Sequence, residues 1–407
     1  MSYLTLRFVI FSLLLLPSLS VVPGVPAIRV DDLLLLGWFF VFVLFSGIKN
    51  VVVLAGRDKY ILALMLFLPL SVLNGLVNGY EGSFGDINQY IRFLKYLAIY
   101  YLSMACFWRA CRYEERKKII DFFILCGVGL FGIAIFQYFD FLGLNAKYVK
   151  SISPNHYHTL VDGYPHPRPV GMIGNPNELG FVMAIMSLLS IFGFVFYGQR
   201  RYILFSSFFL VGILMSMSRS SLIAFFCGVV VLVLLFLIKA KFVDKIKAIL
   251  FFCSFLLVAV WVSFQPIVYE AVTWRFEKGV DLSEDDSAQV RMENWSENIE
   301  IIKRHPLVGV GPLRRAEMAH AADNEWLLNW RSYGLMGSIF IAMIVFSGLF
   351  KKKEFRYQAF HISIAISVFI YMIPAAAFHS LVIFPLVLFV LALIDSQKYV
   401  SKGRVDE

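Results

Sequence analysis

The chain is a succession of apolar runs, each close to the roughly 17–25 residues that a helix needs to cross a bilayer. Twelve can be marked, near 6–23, 33–48, 60–78, 91–108, 119–138, 178–197, 202–218, 220–238, 247–265, 325–349, 357–376 and 379–395. Composition agrees, with 59% hydrophobic and only 16% charged residues, whereas a soluble domain is about a quarter charged. The expected fold is all-α: a polytopic membrane protein of about twelve transmembrane helices, one integral-membrane domain over residues 1–407.

Charge between the runs gives the orientation. With the N-terminus inside and each run crossing once, 22 of the 37 Lys and Arg fall on the inner side, whose loops are all short. That is the positive-inside pattern, and it puts both termini in the cytoplasm. The outer side carries 19 of the 28 acids, so most of the +9 net charge reports topology. Nucleic-acid binding is not expected. The first run is read as a retained span, because no small-residue cleavage site follows Ser20 and its removal would spoil the even count. None of the five cysteines lies in an outer loop, so neither a disulfide framework nor a Cys-based metal site is indicated.

Only two connections are long, 139–177 and 266–324, and both face outward. The first holds Arg168-Pro-Val-Gly171-Met-Ile-Gly174-Asn175-Pro176-Asn177-Glu178, a stiff, turning segment leading into the sixth run. Asn175 or Asn177 suits the cap of the helix that follows. The histidines at 156, 158 and 166 are irregularly spaced, and no metal geometry is completed. In the second loop, Ser283 to Asp286 resembles a capping box before an amphipathic helix of about 287–304. Met292, Trp295, Ile299 and Ile302 are its expected apolar stripe, and Glu300 and Arg304 its expected pair. His305-Pro306 ends that helix, and Leu-Val-Gly309-Val-Gly311-Pro312 turns the chain. Then come His320, Asp323, Asn324, Glu325 and Trp326 at the start of the tenth run, where Asp323 suits the cap and Arg331 must face protein or water, or snorkel.

A permanent charge between two spans needs a reason. Arg219 stands in Ser216-Met217-Ser218-Arg219-Ser220-Ser221, a gap too short for a soluble loop. Charges at bilayer depth cost about 2.5–3.5 kcal/mol on insertion scales and mark function. Arg92 and Lys95 stand at i, i+3 at the outer end of the fourth run. With Arg168, Arg219 and Arg291 they make five outer cations at or near membrane level, against the topology bias. A convergent anion site at the outer leaflet accounts for them.

The order and side of these motifs resemble the bacterial O-antigen ligase and O-antigen polymerase superfamily. The resemblance rests on Arg168 to Glu178, Ser216 to Ser221, Arg291 to Gly311 with its Trp helix and His-Pro-Leu-x-Gly-x-Gly, and Asp323 to Gly337. Ile28-Arg29-Val30-Asp31-Asp32, ahead of the second run, also looks like polymerases of this group. The resemblance implies an inner-membrane enzyme that moves sugar chains from a polyprenyl pyrophosphate-linked oligosaccharide donor to a lipid-linked glycan acceptor, among membrane lipids, with a chain-length regulator protein as a partner. No cofactor is implied. Arg219 and Arg291 would clamp the pyrophosphate, helped by Arg168, Arg92 and Lys95, since guanidinium forks bind phosphate bidentately and keep their charge. Asn177, Glu178, Asn324 and Glu325 would position the acceptor or the loops. The ligase branch places a histidine directly before the Asn of the last motif; here Asp323 is there, with His320 three residues earlier. Asp323 is then the expected base, His320 the runner-up, and polymerase is favoured over ligase. A transporter or flippase of lipid-linked sugars could use the same cations, yet would not need the long helical outer loop.

Overall fold

The structure, a computed structural model, describes residues 2–17, 29–46, 56–82, 84–110, 113–153, 156–161, 166–239, 286–312, 324–350 and 354–397, with isolated positions between 242 and 270. Among them there are helices and turns and no strand. In chain order the long helices are α1 (Ser2–Leu15), α2 (Val30–Ser46), α3 (Asp58–Val77), α4 (Phe84–Arg109), α5 (Tyr113–Tyr138) and α6 (Pro176–Tyr197). They continue with α7 (Arg201–Met215), α8 (Arg219–Lys239), α9 (Asp286–Arg304), α10 (Glu325–Phe346), α11 (Phe355–Tyr371) and α12 (Ile383–Asp395). Eleven of the expected runs coincide with one of these helices; the run at 247–265 lies outside the described stretches. Among the described residues five helical segments, Asp58–Val77, Glu114–Tyr138, Pro176–Tyr197, Arg219–Lys239 and Glu325–Leu349, are long and apolar enough to cross a membrane.

The bundle is organised around α6 and α12, which are apolar on every face and buried along almost their whole length. A helix hydrophobic all round belongs at a core, and α6 is accordingly packed by α5, α7, α8, α11 and α12. Close approach depends on small residues, which let helix backbones meet. At Gly180 a Cβ would lie 2.3 Å from Ser216 Oγ, so only glycine lets α6 rest on the turn between α7 and α8.

Polar side chains sort to the two ends of the bundle. At one end, Arg57 pairs with Asp395 at 2.7 Å and meets His361 Nε2 at 2.9 Å, and Tyr101 donates to Asp58 at 2.8 Å. Arg116 donates to the carbonyls of Phe107, Ala110 and Ser396, and Arg201 reaches Asp121. Arg57, Arg116 and Arg201 are among the cations expected on the inner side. The opposite end gathers the residues expected outside.

Two packing expectations are corrected. On α9 the buried face is Asn294, Asn298 and Ile302, while Met292 and Ile299 are exposed. The reason is polar: Asn298 Oδ1 accepts from Arg331 at 2.9 Å, so α9 turns an asparagine edge toward α10. Glu300 pairs with Lys303, one turn on at i, i+3 (2.7 Å), where Arg304 was expected.

α10 is broken at Gly334 (φ 64°, ψ −172°). The break opens the helical ladder, and the stretch after His305 fills it: Val310 N donates to Arg331 O at 3.0 Å, Gly311 N to Ser332 O at 2.9 Å, and Leu335 N to Pro306 O at 2.9 Å. Freed backbone groups inside a membrane protein must find such partners. A Cβ at 334 would stand 2.2 Å from the Leu307 carbonyl, so the Gly-x-Gly turn and Gly334 are two halves of one joint.

Candidate functional site

The end that gathers the residues expected outside is built in two adjoining parts. The first joins Arg168, the start of α6 and the α7–α8 turn. Asn175 caps α6, its Oδ1 accepting from Asn177 N at 2.8 Å and Glu178 N at 3.4 Å. That frees the Asn177 side chain to accept from Arg168 Nη2 at 2.9 Å. Arg168 is buried and also donates through Nε to Ser216 O at 3.1 Å. Ser221 Oγ donates to Asn177 O at 3.0 Å, closing the unit. Ser218 Oγ accepts from Ser221 N at 3.3 Å and so caps α8. Arg219 is then the first helical residue, half-exposed, with a cation at the positive end of a helix dipole. That placement is unfavourable by about 0.3–1 kcal/mol unless an anion is near. Arg219 and the helix end both suit an anion.

The second part forms where α4, α6 and α10 meet the turn-rich stretch 372–382. Glu325, in the first turn of α10, has no exposure. Its Oε2 accepts from Phe378 N at 3.0 Å and its Oε1 meets His379 Nδ1. Ser380 Oγ donates to Glu178. Tyr96 donates to Phe378 O, and Lys95 to Leu381 O at 3.1 Å. Lys95 Nζ also lies 2.6 Å from Asp31 and 2.6 Å from Asp32. Arg29 pairs with Asp31 at 3.0 Å and donates to the last carbonyls of α1. Two cations and two carboxylates thus balance in a buried network.

Between these parts several buried polar atoms have no hydrogen-bond partner among the described residues: Gln89 Nε2, Arg92 Nε, both amide atoms of Asn329, Ser332 Oγ, Tyr333 OH and His379 Nε2. Each such group costs about 1–3 kcal/mol if it stays dry and unpaired. Gln89 and Arg92 lie on one face of α4, and Asn329 and Tyr333 share a face of α10 with the bonded Glu325. Tyr333 connects the faces, lying against Phe93 at 6.0 Å and parallel to the His379 ring at 6.4 Å.

The expected site residues fare unevenly. Arg168, Asn177 and the turn holding Arg219 come together, as do Glu178, Glu325, Lys95 and the segment 372–382. Lys95 is held by two carboxylates. Asn324, not Asp323, is the cap of α10, its Oδ1 accepting from Trp326 N at 3.0 Å and Leu327 N at 3.1 Å. Asn324 has the extended backbone a cap requires; Asp323 and His320 lie outside the described residues. Arg291 is on α9, seven residues before Asn298, but its side chain lies outside the described part. His379 and Ser380 were not anticipated. They are the first two residues of the run expected at 379–395, where two polar residues read as no more than the start of a span.

Outside the membrane segments, the first loop carries one perturbed group. Burial, then the nearby charges of Arg168 and His158, hold His156 below the usual imidazole range.

Residues 203–342 match the family model described as O-antigen ligase. The matched stretch contains Arg219, Arg291, the joint at Gly334 and the start of α10, and it bears out the resemblance to the O-antigen ligase and polymerase superfamily. No curated protein matches the chain.

Proposed function

We propose that the chain is an outward-facing membrane glycosyltransferase that moves sugar from a polyprenyl pyrophosphate carrier onto another lipid-linked repeat unit. The coarser part, a ligase- or polymerase-type role in polysaccharide assembly, rests on the family match. The observation that carries the finer reading is the union of Arg168, Asn177 and the Ser216–Ser221 turn at the outer end. It presents Arg219 beside a helix N-terminus, a setting made for a phosphate.

The leaving group gathers charge as the glycosidic bond to phosphate breaks. Preorganised cations at that charge stabilise the transition state by several kcal/mol, on the order of what a single oxyanion-hole donor gives or more. Arg219 and Arg291 are the proposed clamp. Arg168 supports the turn, and Arg92 adds charge from α4. Lys95 would contribute only after releasing Asp31 or Asp32. Asp323 and His320 are the base candidates that the resemblance offers.

Transfer measured in Arg219→Lys and Arg291→Ala variants, at normal membrane levels, tests the clamp; at least a hundredfold loss is expected, about 2.7 kcal/mol in the barrier. Wild-type turnover in both overturns it. The ligase reading fits the family description equally well, while Asp323 in the place of the ligase histidine favours polymerase. Lipids of a deletion strain separate them: single repeat units on the lipid core indicate a polymerase, unligated long chains a ligase, and carrier-linked units trapped inside a flippase.

A further inference from the structure

Glu325 and His379 form a pair with the order of contacts that a proton acceptor needs. The Glu325 carboxylate is fully buried and anchored, with Oε2 on the N–H groups of Phe378 and His379 and Oε1 on His379 Nδ1. A carboxylate at Nδ1 fixes the neutral imidazole with its proton there and leaves the Nε2 lone pair open. That nitrogen is buried and has no hydrogen-bond partner among the described residues. Tyr333 lies parallel to the ring, restricting its tilt. Further buried polar atoms without hydrogen-bond partners among the described residues lie on α4 (Gln89 Nε2, Arg92 Nε) and on α10 (the Asn329 amide, Tyr333 OH), and Tyr333 links the two helices through Phe93 and His379. Mixed donors and acceptors complement the hydroxyls of a sugar ring; a lipid tail or a bare ion would not satisfy them.

We propose that the acceptor sugar binds beside these groups of α4 and α10 and that His379 is the base that activates its hydroxyl, an inference that rests on the glycosyl-transfer reading above. None of the motifs carrying the resemblance includes His379. As the acceptor oxygen bonds to the anomeric carbon of the donor, its proton passes to His379 Nε2. The bond from that carbon to the phosphate oxygen breaks, and its electron pair leaves with the pyrophosphate. Glu325 is the positioning residue, stabilising the imidazolium through Nδ1–H. The proton then returns to solvent or to the departing diphosphate.

The test uses the full chain in lipid nanodiscs, with a lipid-linked oligosaccharide fraction from producing cells as donor and acceptor. His379→Gln is expected to slow transfer about a hundredfold or more, the usual share of a general base. Its residual rate should lose the acidic limb of the pH profile, added imidazole should partly restore His379→Gly, and binding of polyprenyl pyrophosphate should be unchanged. Glu325→Gln should shift the acidic limb to lower pH, since losing the anion makes the imidazole a weaker base. Asn329→Ala should raise the acceptor KM about tenfold, the worth of one buried hydrogen bond. A wild-type rate in His379→Gln, or a slow rate with an unmoved pH profile and no imidazole rescue, overturns the proposal. If His379→Gln keeps its rate while Arg219→Lys loses it, only the base assignment fails. If both keep it, the glycosyl-transfer reading fails as well.

Discussion

Asn175 and Asn324 show how a single amide sets a site. Each caps the helix whose first turn carries a carboxylate of the candidate site, Glu178 on α6 and Glu325 on α10. Replacing either by Ala should cost about 1 kcal/mol, seen as a lower melting temperature in detergent, while Asp at the same position should retain most of the stability. The helix N-termini were legible because cap residues act through their own side chains. Which residue caps was less so: Asp323 and Asn324 are chemically equivalent at this level, and the choice depends on where the backbone leaves the extended conformation. His156 gives a pH prediction of the same scale. It is kept neutral in the fold, whereas in an unfolded loop it would take up a proton as pH falls through about 6.5. Stability of the first loop should therefore hold above that pH and decline below it. Thermal melts at pH 7.5 and 5.5 check this, and His156→Gln should flatten the difference.

Among elements, the joint between α10 and the stretch after His305 is the feature that sequence reading divided in two. Gly309 and Gly311 were read as a turn and Gly334 as part of the tenth run, and nothing in their spacing says that they meet. A glycine's need for space is visible only when the neighbour is, and here the neighbour is the Leu307 carbonyl. Gly334→Ala would force a side chain into that carbonyl at a backbone conformation open essentially to glycine alone. A loss of about 2–3 kcal/mol or more is expected, read as reduced folded yield and lower transfer. The same substitution at Gly132, where a Cβ meets nothing within 4 Å, should be tolerated. Helix positions, by contrast, were largely predictable, because an apolar run of this length has few other ways to satisfy its backbone.

The whole molecule separates a locked end from a working end. The Arg57–Asp395 pair, with Tyr100 and His361, ties α3, α11 and α12 together at the end away from the candidate site. Breaking a buried pair by removing one partner costs about 3–5 kcal/mol. Asp395→Asn should therefore lower the fraction of folded protein, measured by fluorescence-detected size exclusion, with the rate per folded molecule unchanged. A changed rate would mean that the two ends communicate. Charge sidedness was readable from the sequence because each short loop carries its own charge. The partners were not, since Arg57 and Asp395 are separated by most of the chain.

The stretch 372–382 also dictates when the protein can begin to work. It supplies His379 and Ser380 to carboxylates on α6 and α10, and it is threaded between the last two helices. Synthesis must therefore pass the stretch 372–382, and that stretch must settle against α6 and α10, before Glu178 and Glu325 find their partners. Nascent chains interrupted earlier would leave both carboxylates without the N–H, hydroxyl and imidazole partners that this stretch supplies.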